Sequence, residues 1–107
     1  NQRVQKEDPI AHGEMDALEN AGRLPASVYS QCTLYTTLSP CPMCSGTILL
    51  FGIPRVIIGE NKSFLGDEDR LRDAGVEVAV LDDTESHALM QQFIEEKPSL
   101  WNEDIGV

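Results

Sequence analysis

The sequence predicts an α/β fold in which helices cover a small parallel sheet. Three short apolar segments, rich in β-branched residues, are typical of strands, and a segment with helical periodicity follows each of them. Strands that alternate with helices pair in parallel through right-handed crossovers, with helices on the sheet faces. The 107 residues suffice for one compact domain, which we expect to span residues 1–107.

The predicted elements alternate along the chain. The polar residues 1–9 predict a loop, and Pro98 ends the last helix and leaves a tail. The second helix is apolar on nearly all sides, which is typical of a helix buried between layers or at a subunit contact. The last helix carries an inner stripe of Leu89, Met90, Phe93 and Ile94. Helices are predicted over 13–21, 43–52, 67–75 and 85–96, and strands over 32–38, 55–59 and 76–82.

Composition limits the classes of partner. The formal net charge is −10, from 18 acidic and 8 basic residues, and the basic residues form no cluster. Because nucleic-acid binding depends on Lys and Arg that displace counterions from phosphates, we expect no nucleic-acid partner and a small neutral ligand instead. No apolar run approaches the roughly 20 residues that span a bilayer, so we expect no membrane partner. We expect a cytoplasmic protein, with the nucleus as a second compartment.

Two short motifs together predict a metal site. His12 stands at the start of the first helix, and Cys41 and Cys44 lie at the start of the second. One His and two Cys are the catalytic form of a zinc site, because the fourth tetrahedral position stays open. Glu14 follows His12 by two residues, where a carboxylate can act as general acid and base. H-x-E followed by P-C-x-x-C is the signature of zinc nucleobase deaminases.

Other interpretations of these cysteines compete with the catalytic one. The C-x-x-C pair alone is also compatible with a thioredoxin-like dithiol, or with a structural zinc site closed by Cys32 or His87. We expect Cys32 to be a small buried apolar residue and His87 to be an ordinary helix-side residue. Residues 67–69 predict a solvated helix start.

Beyond these motifs the chain resembles the fungal and bacterial cytosine deaminases of the zinc-dependent cytidine and deoxycytidylate deaminase superfamily. The resemblance rests on "HGEMDALENAGRL", "TLYTTLSPCPMCSGTILLFGIPRVIIGEN" and "WNEDIG" and runs over nearly all of the chain. It implies a three-layer α/β/α sandwich, hydrolytic conversion of cytosine to uracil and ammonia in pyrimidine salvage, a Zn²⁺ cofactor and a homodimer. The homodimer agrees with the strongly apolar second helix.

The resemblance also implies roles for single residues. By matching position, His12, Cys41 and Cys44 hold zinc and Glu14 shuttles protons. The substrate contacts that it implies are the Asn1 side chain, the Gly13 N–H and the Ser39 carbonyl on the edge of the base, Phe64 and Trp101 on its faces, and Asp104 at its amine.

The chain departs from the family at its start. Members carry a helix and a strand hairpin before the position that matches Asn1, so we expect an N-terminally truncated domain that folds poorly and has low activity alone. Three rival functions stay open: a tRNA adenosine deaminase, a nucleoside or nucleotide cytidine deaminase, and a zinc-stabilised interaction module without catalysis.

Overall fold

Three parallel strands form the centre of the fold, as the alternation of strands and helices predicts. The computed structural model describes residues 1–107. Strands β1 (Thr33–Leu38), β2 (Arg55–Glu60) and β3 (Glu77–Val80) lie in the spatial order β1-β2-β3. Leu34 of β1 pairs with Val56 of β2, which in turn pairs with Val78 of β3. The predicted α/β class is therefore confirmed.

Helices connect and flank these strands. Pro42 and Pro98 each occupy the first turn of a helix, where a missing backbone N–H costs nothing. The Asp83 carboxylate caps the helix that begins at Thr84 by accepting a hydrogen bond from the Ser86 N–H at 2.7 Å. In chain order the helices are α1 (Arg3–Lys6), α2 (Gly13–Ala21), α3 (Ala26–Tyr29), α4 (Pro42–Leu50), α5 (Glu68–Asp73), α6 (Thr84–Glu96) and α7 (Pro98–Asp104).

The helices cover the two faces of the sheet differently. On one face, Val56 and Ile58 of β2 pack against Ile48 of α4 and Leu71 of α5 in the main apolar cluster. On the other face, Gly59 lies against Ser86 of α6, so closely that a Cβ at Gly59 would stand 2.7 Å from the Ser86 hydroxyl oxygen. The chain thus forms an α/β/α arrangement around a thin sheet.

Three helices were not expected from the sequence. Helix α1 falls in the predicted loop and α7 in the predicted tail, while α3 lies between the first helix and the first strand. Helices α1 and α3 have four residues each, too few to display helical periodicity. Pro98 does end α6, but it also begins α7, since proline is favoured at the first helical position.

Two further expectations about burial are wrong. Leu89 of α6 is 59% exposed, so it does not belong to the inner stripe. Glu68, in the supposedly solvated start of α5, is only 4% exposed. Helix α4 buries Cys44, Ser45 and Ile48 but leaves Leu50 exposed to solvent. No helix of the molecule is both long and apolar enough to cross a membrane.

Candidate metal centre and active site

The two predicted ligand segments meet at one end of the sheet. His12 immediately precedes α2, Cys41 immediately precedes α4, and Cys44 lies in the first turn of α4. The ligand atoms of these three residues all lie within 4.8 Å of one another, and Cys41 Sγ stands 3.6 Å from His12 Nδ1. Nitrogen and sulfur donors around a tetrahedral zinc ion are separated by about 3.6–3.8 Å. The three residues therefore fit zinc.

The same three side chains compete for protons. The hydrogen bond with Cys44 lowers the pKa of the Cys41 thiol to about 4, and the same contact raises the pKa of Cys44. The hydrogen bond with Cys41 also raises the pKa of His12. A cation that binds here replaces these protons, because zinc takes deprotonated thiols and neutral imidazole.

Glu14 lies beside the three donors. Its Oε2 accepts from Cys44 Sγ at 3.4 Å, and its Oε1 accepts from the Thr36 hydroxyl at 2.9 Å. Thr36 was not predicted as a site residue, although the alternation of β1 places it on the same face as Leu34 and Leu38. With one oxygen held by Thr36, the other is directed at the metal centre, where a proton-transferring carboxylate is needed.

A cavity of about 350 Å³ opens in front of the metal centre. Met90 and Phe93, predicted only as part of the inner stripe of α6, and Leu100 of α7 supply its apolar wall. Five of the predicted substrate contacts line the cavity, namely Asn1, Gly13, Ser39, Phe64 and Asp104. Three residues of the metal centre line it as well, namely His12, Glu14 and Cys41.

Trp101 differs from the other predicted contacts, because it is not among the residues that line this cavity. It is 7% exposed and packs edge-on against the Phe64 ring, with 6.5 Å between the ring centroids. The structure thus places Trp101 in support of Phe64, which itself faces the cavity.

Asp104 holds the N-terminal and C-terminal parts of the site together. Its Oδ1 lies 3.5 Å from His12 Nε2 and accepts from the Asn1 amide at 3.1 Å and the Arg3 guanidinium at 2.9 Å. A carboxylate at Nε2 orients the imidazole with Nδ1 toward the two cysteines.

Arg3 was not identified from the sequence. Its side chain is only 9% exposed, and it also pairs with Glu103 at 3.3 Å. Because Arg3 and Asp104 are 101 residues apart, no local pattern signals their contact.

Known proteins resemble this chain in the segment that carries the metal centre. The sequence profile of the cytidine and deoxycytidylate deaminase zinc-binding region matches residues 1–60, which contain all three ligand residues and Glu14. A cytosine deaminase of Candida albicans is 61% identical over 106 residues, which cover 99% of this chain and 71% of the relative.

More distant relatives match a smaller share of the chain. A deoxycytidylate deaminase of Enterobacteria phage T2 is 41% identical over 69 residues, or 63% of this chain and 36% of the relative. A tRNA-specific adenosine deaminase of Bacillus subtilis is 38% identical over 60 residues, or 55% of this chain and 37% of the relative. With the zinc-fitting donors, Glu14 and these matches, the chain belongs to the cytidine and deoxycytidylate deaminase family.

Proposed function

We propose that the protein deaminates cytosine hydrolytically, so that cytosine and water yield uracil and ammonia. The observation that carries this proposal is the position of Glu14, within 3.4 Å of one zinc-fitting donor and directly on the cavity. The similarity to the Candida albicans cytosine deaminase supports free cytosine as the substrate. Zinc, held by His12, Cys41 and Cys44, supplies the Lewis acidity that makes water a nucleophile at neutral pH.

Glu14 moves the protons. Its carboxylate takes a proton from the attacking water and donates it to N3 of the ring, which makes C4 more electrophilic. It then takes the second proton from the hydroxyl that is now bonded to C4 and transfers it to the amino group, which leaves as ammonia while the C4 carbonyl forms. The Thr36 hydroxyl holds Oε1 in place during these transfers, so the carboxylate need not reorient.

The remaining site residues hold the base. Phe64 offers an aromatic face, and the edge of the ring meets the Asn1 side chain, the Ser39 carbonyl and the N–H of Gly13. Gly13 is the first residue of α2, where backbone N–H groups have no partner inside the helix. Asp104, which lines the cavity, accepts from the amino group of the base and also orients His12 and Asn1, and Trp101 keeps Phe64 in position.

The charges of the site favour a neutral base over a nucleotide. Arg3 is the cation that lines the cavity, and it is engaged by Glu103 and Asp104. A phosphate would therefore meet no available cation. The net charge of −10 disfavours a tRNA substrate. Ammonia release from cytosine, cytidine, deoxycytidylate and an adenosine-containing stem-loop separates these substrates, and fastest turnover on any but cytosine would contradict the proposal.

Replacement of Glu14 by glutamine tests the mechanism. We expect Glu14→Gln to lower kcat by about 10²–10⁴-fold, because the amide cannot carry the proton. Zinc content should stay at the wild-type level, since the three ligands are untouched. If neither wild type nor variant released ammonia, the chain would instead be an interaction module. Equal release by both would contradict the role of Glu14.

Three finer features complete the proposal. A homodimer is supported by the exposed apolar side chains of Leu50, at the end of α4, and Phe51, directly after it. Pyrimidine salvage, the recovery of free bases, is the process that this reaction would serve. The cytoplasmic location inferred from the sequence stays a prediction.

A further inference from the structure

We infer that Glu68 is a positioning residue for the base-binding cavity, an inference that rests on the proposed function. Glu68 does not line the cavity. It is nevertheless 4% exposed and binds a residue that does, Ser39, whose hydroxyl donates to Glu68 Oε1 at 2.8 Å. Burying a carboxylate costs free energy unless it is hydrogen-bonded, so the partners of Glu68 indicate which parts of the molecule it positions.

Glu68 connects two segments that both reach the cavity. Its Oε1 also accepts from the Asn61 amide at 3.2 Å, at the start of the loop 61–67 that carries Phe64. Its Oε2 lies 3.5 Å from the guanidinium of Arg72, which balances the negative charge. One buried side chain thus anchors both the segment that contains Ser39 and the loop that carries Phe64, and both residues line the cavity.

The two segments are also joined directly. The N–H of Gly66 donates to the Ser39 hydroxyl oxygen at 2.9 Å, and the N–H of Asp67 donates to the Pro40 carbonyl at 3.0 Å. Gly66 approaches Pro40 so closely that a Cβ would overlap the carbonyl oxygen of Pro40. The Ser39 hydroxyl therefore lies at the centre of these contacts, because it donates to Glu68 and accepts from the N–H of Gly66. Together the two hydrogen bonds fix the orientation of Ser39.

This arrangement has a chemical consequence for specificity. A carbonyl held at a fixed position accepts from the amino group of cytosine, whereas it repels the carbonyl oxygen that uracil carries at the same ring position. When Glu68 is lost, Ser39 is free to shift, and the preference for the amino-bearing base should fall. Proton transfer by Glu14 does not involve these atoms.

Steady-state kinetics of Glu68→Ala, Glu68→Gln and Ser39→Ala test the inference. We expect Glu68→Ala to raise KM for cytosine by about tenfold or more, with a smaller fall in kcat and a smaller rise in the inhibition constant of uracil. Glu68→Gln keeps an oxygen that accepts from Ser39 and should retain KM within about threefold. Ser39→Ala should reproduce the effect of Glu68→Ala, and the double variant should add little to it.

Asp69→Asn is the matched control. It removes the same charge from the same helical turn, but the Asp69 side chain is fully exposed. It should leave KM, kcat and the inhibition constant unchanged. Equal weakening of cytosine and uracil binding by Glu68→Ala, failure of Glu68→Gln to restore KM, or a wild-type KM in Ser39→Ala would overturn the inference. If Glu68→Ala does not fold, the other two variants decide.

Fluorescence quenching separates this inference from the proposed function. Trp101 is the only tryptophan of the chain and packs against Phe64. Acrylamide should quench it more strongly in Glu68→Ala than in wild type or Asp69→Asn, because the loop that carries Phe64 is loosened. A chain that fails to deaminate cytosine but shows this difference contradicts the function alone, whereas unchanged quenching contradicts the role of Glu68.

Discussion

Glu60 is a fully buried carboxylate at the end of β2. Its Oε2 accepts from the backbone N–H of Lys62 at 2.7 Å and of Ser63 at 3.0 Å, and His87 Nδ1 lies 3.6 Å away. Burial raises the pKa of Glu60, but the hydrogen bonds from Ser63 and Lys62 outweigh it, so the pKa lies below its ordinary value. The residue therefore stabilises the turn after β2 in its ionised form.

This arrangement predicts a stability loss in acid. Because the folded-state pKa of Glu60 is lowered, its contribution is present above the unfolded-state pKa, near 4.5, and disappears as the pH falls through the folded-state pKa. Glu60→Gln should lower the free energy of unfolding at pH 7 by about 1 kcal/mol and flatten its decline below pH 5. Urea unfolding between pH 3 and 7 measures both effects.

Glu77→Gln is the control for this experiment, since Glu77 forms an exposed ion pair with Arg55. Exposed pairs contribute little to stability, so this variant should follow the wild-type pH profile. Identical profiles of Glu60→Gln and wild type would show that Glu60 is not the titrating group.

Helix α4 combines two roles on different sides. Its first turn carries Cys44 in the buried metal centre, whereas at its other end Leu50 is 78% exposed and Phe51 is 38% exposed. Leu24, just before α3, and Val28, within α3, are also exposed by about 40%. Exposed large apolar side chains at one end of a helix are typical of an interface, which supports the proposed homodimer.

Leu50→Glu tests that interface. In a twofold-symmetric dimer the substitution places two charges in one apolar contact, so we expect the dimer dissociation constant to rise at least about tenfold. Sedimentation equilibrium measures this constant. Leu81→Glu is a matched control, because Leu81 is 62% exposed and lies after β3, outside α4. A wild-type protein that sediments as a monomer, or a Leu50→Glu variant that dimerises normally, would contradict the proposal.

At the scale of the whole molecule, the metal centre joins parts of the chain that are far apart in sequence. His12 and Cys41 are 29 residues apart, and bound zinc would tie α2 to α4 across the end of the sheet. A ligand that binds only the folded state stabilises it in proportion to the logarithm of its concentration over Kd. The centre should therefore contribute to folding as well as to catalysis.

Chelation measures that contribution. We expect removal of zinc to lower Tm by about 10 °C or more, since about 4 kcal/mol is gained at a thousandfold excess of metal over Kd. Calorimetry with and without a chelator gives the shift. Cys41→Ser should have a low Tm that the chelator does not change. An equal Tm of the zinc-loaded and chelated wild type would contradict a metal that links the helices.

The order of strands and helices and the three metal ligands were predictable because their signals are local. Alternation and helical periodicity repeat within one segment, and H-x-E and C-x-x-C each lie within one turn of a helix start. Short α1 and α3 carry no such repeat, and the tail was misread because Pro98 was taken only as the end of a helix. Glu68 looked like one of several acidic residues at a solvated helix start.

By itself, then, the sequence determined the α/β class, the three zinc-fitting donors and the Glu14 carboxylate beside them, since each is encoded by spacing along the chain. Only the tertiary structure decided that Arg3 and Asp104 meet behind His12, that Trp101 supports Phe64, and that Glu68 is buried under Ser39. These contacts join residues that are 29 to 101 positions apart in the sequence. At such separations the partner of a side chain depends on how the sheet and helices pack.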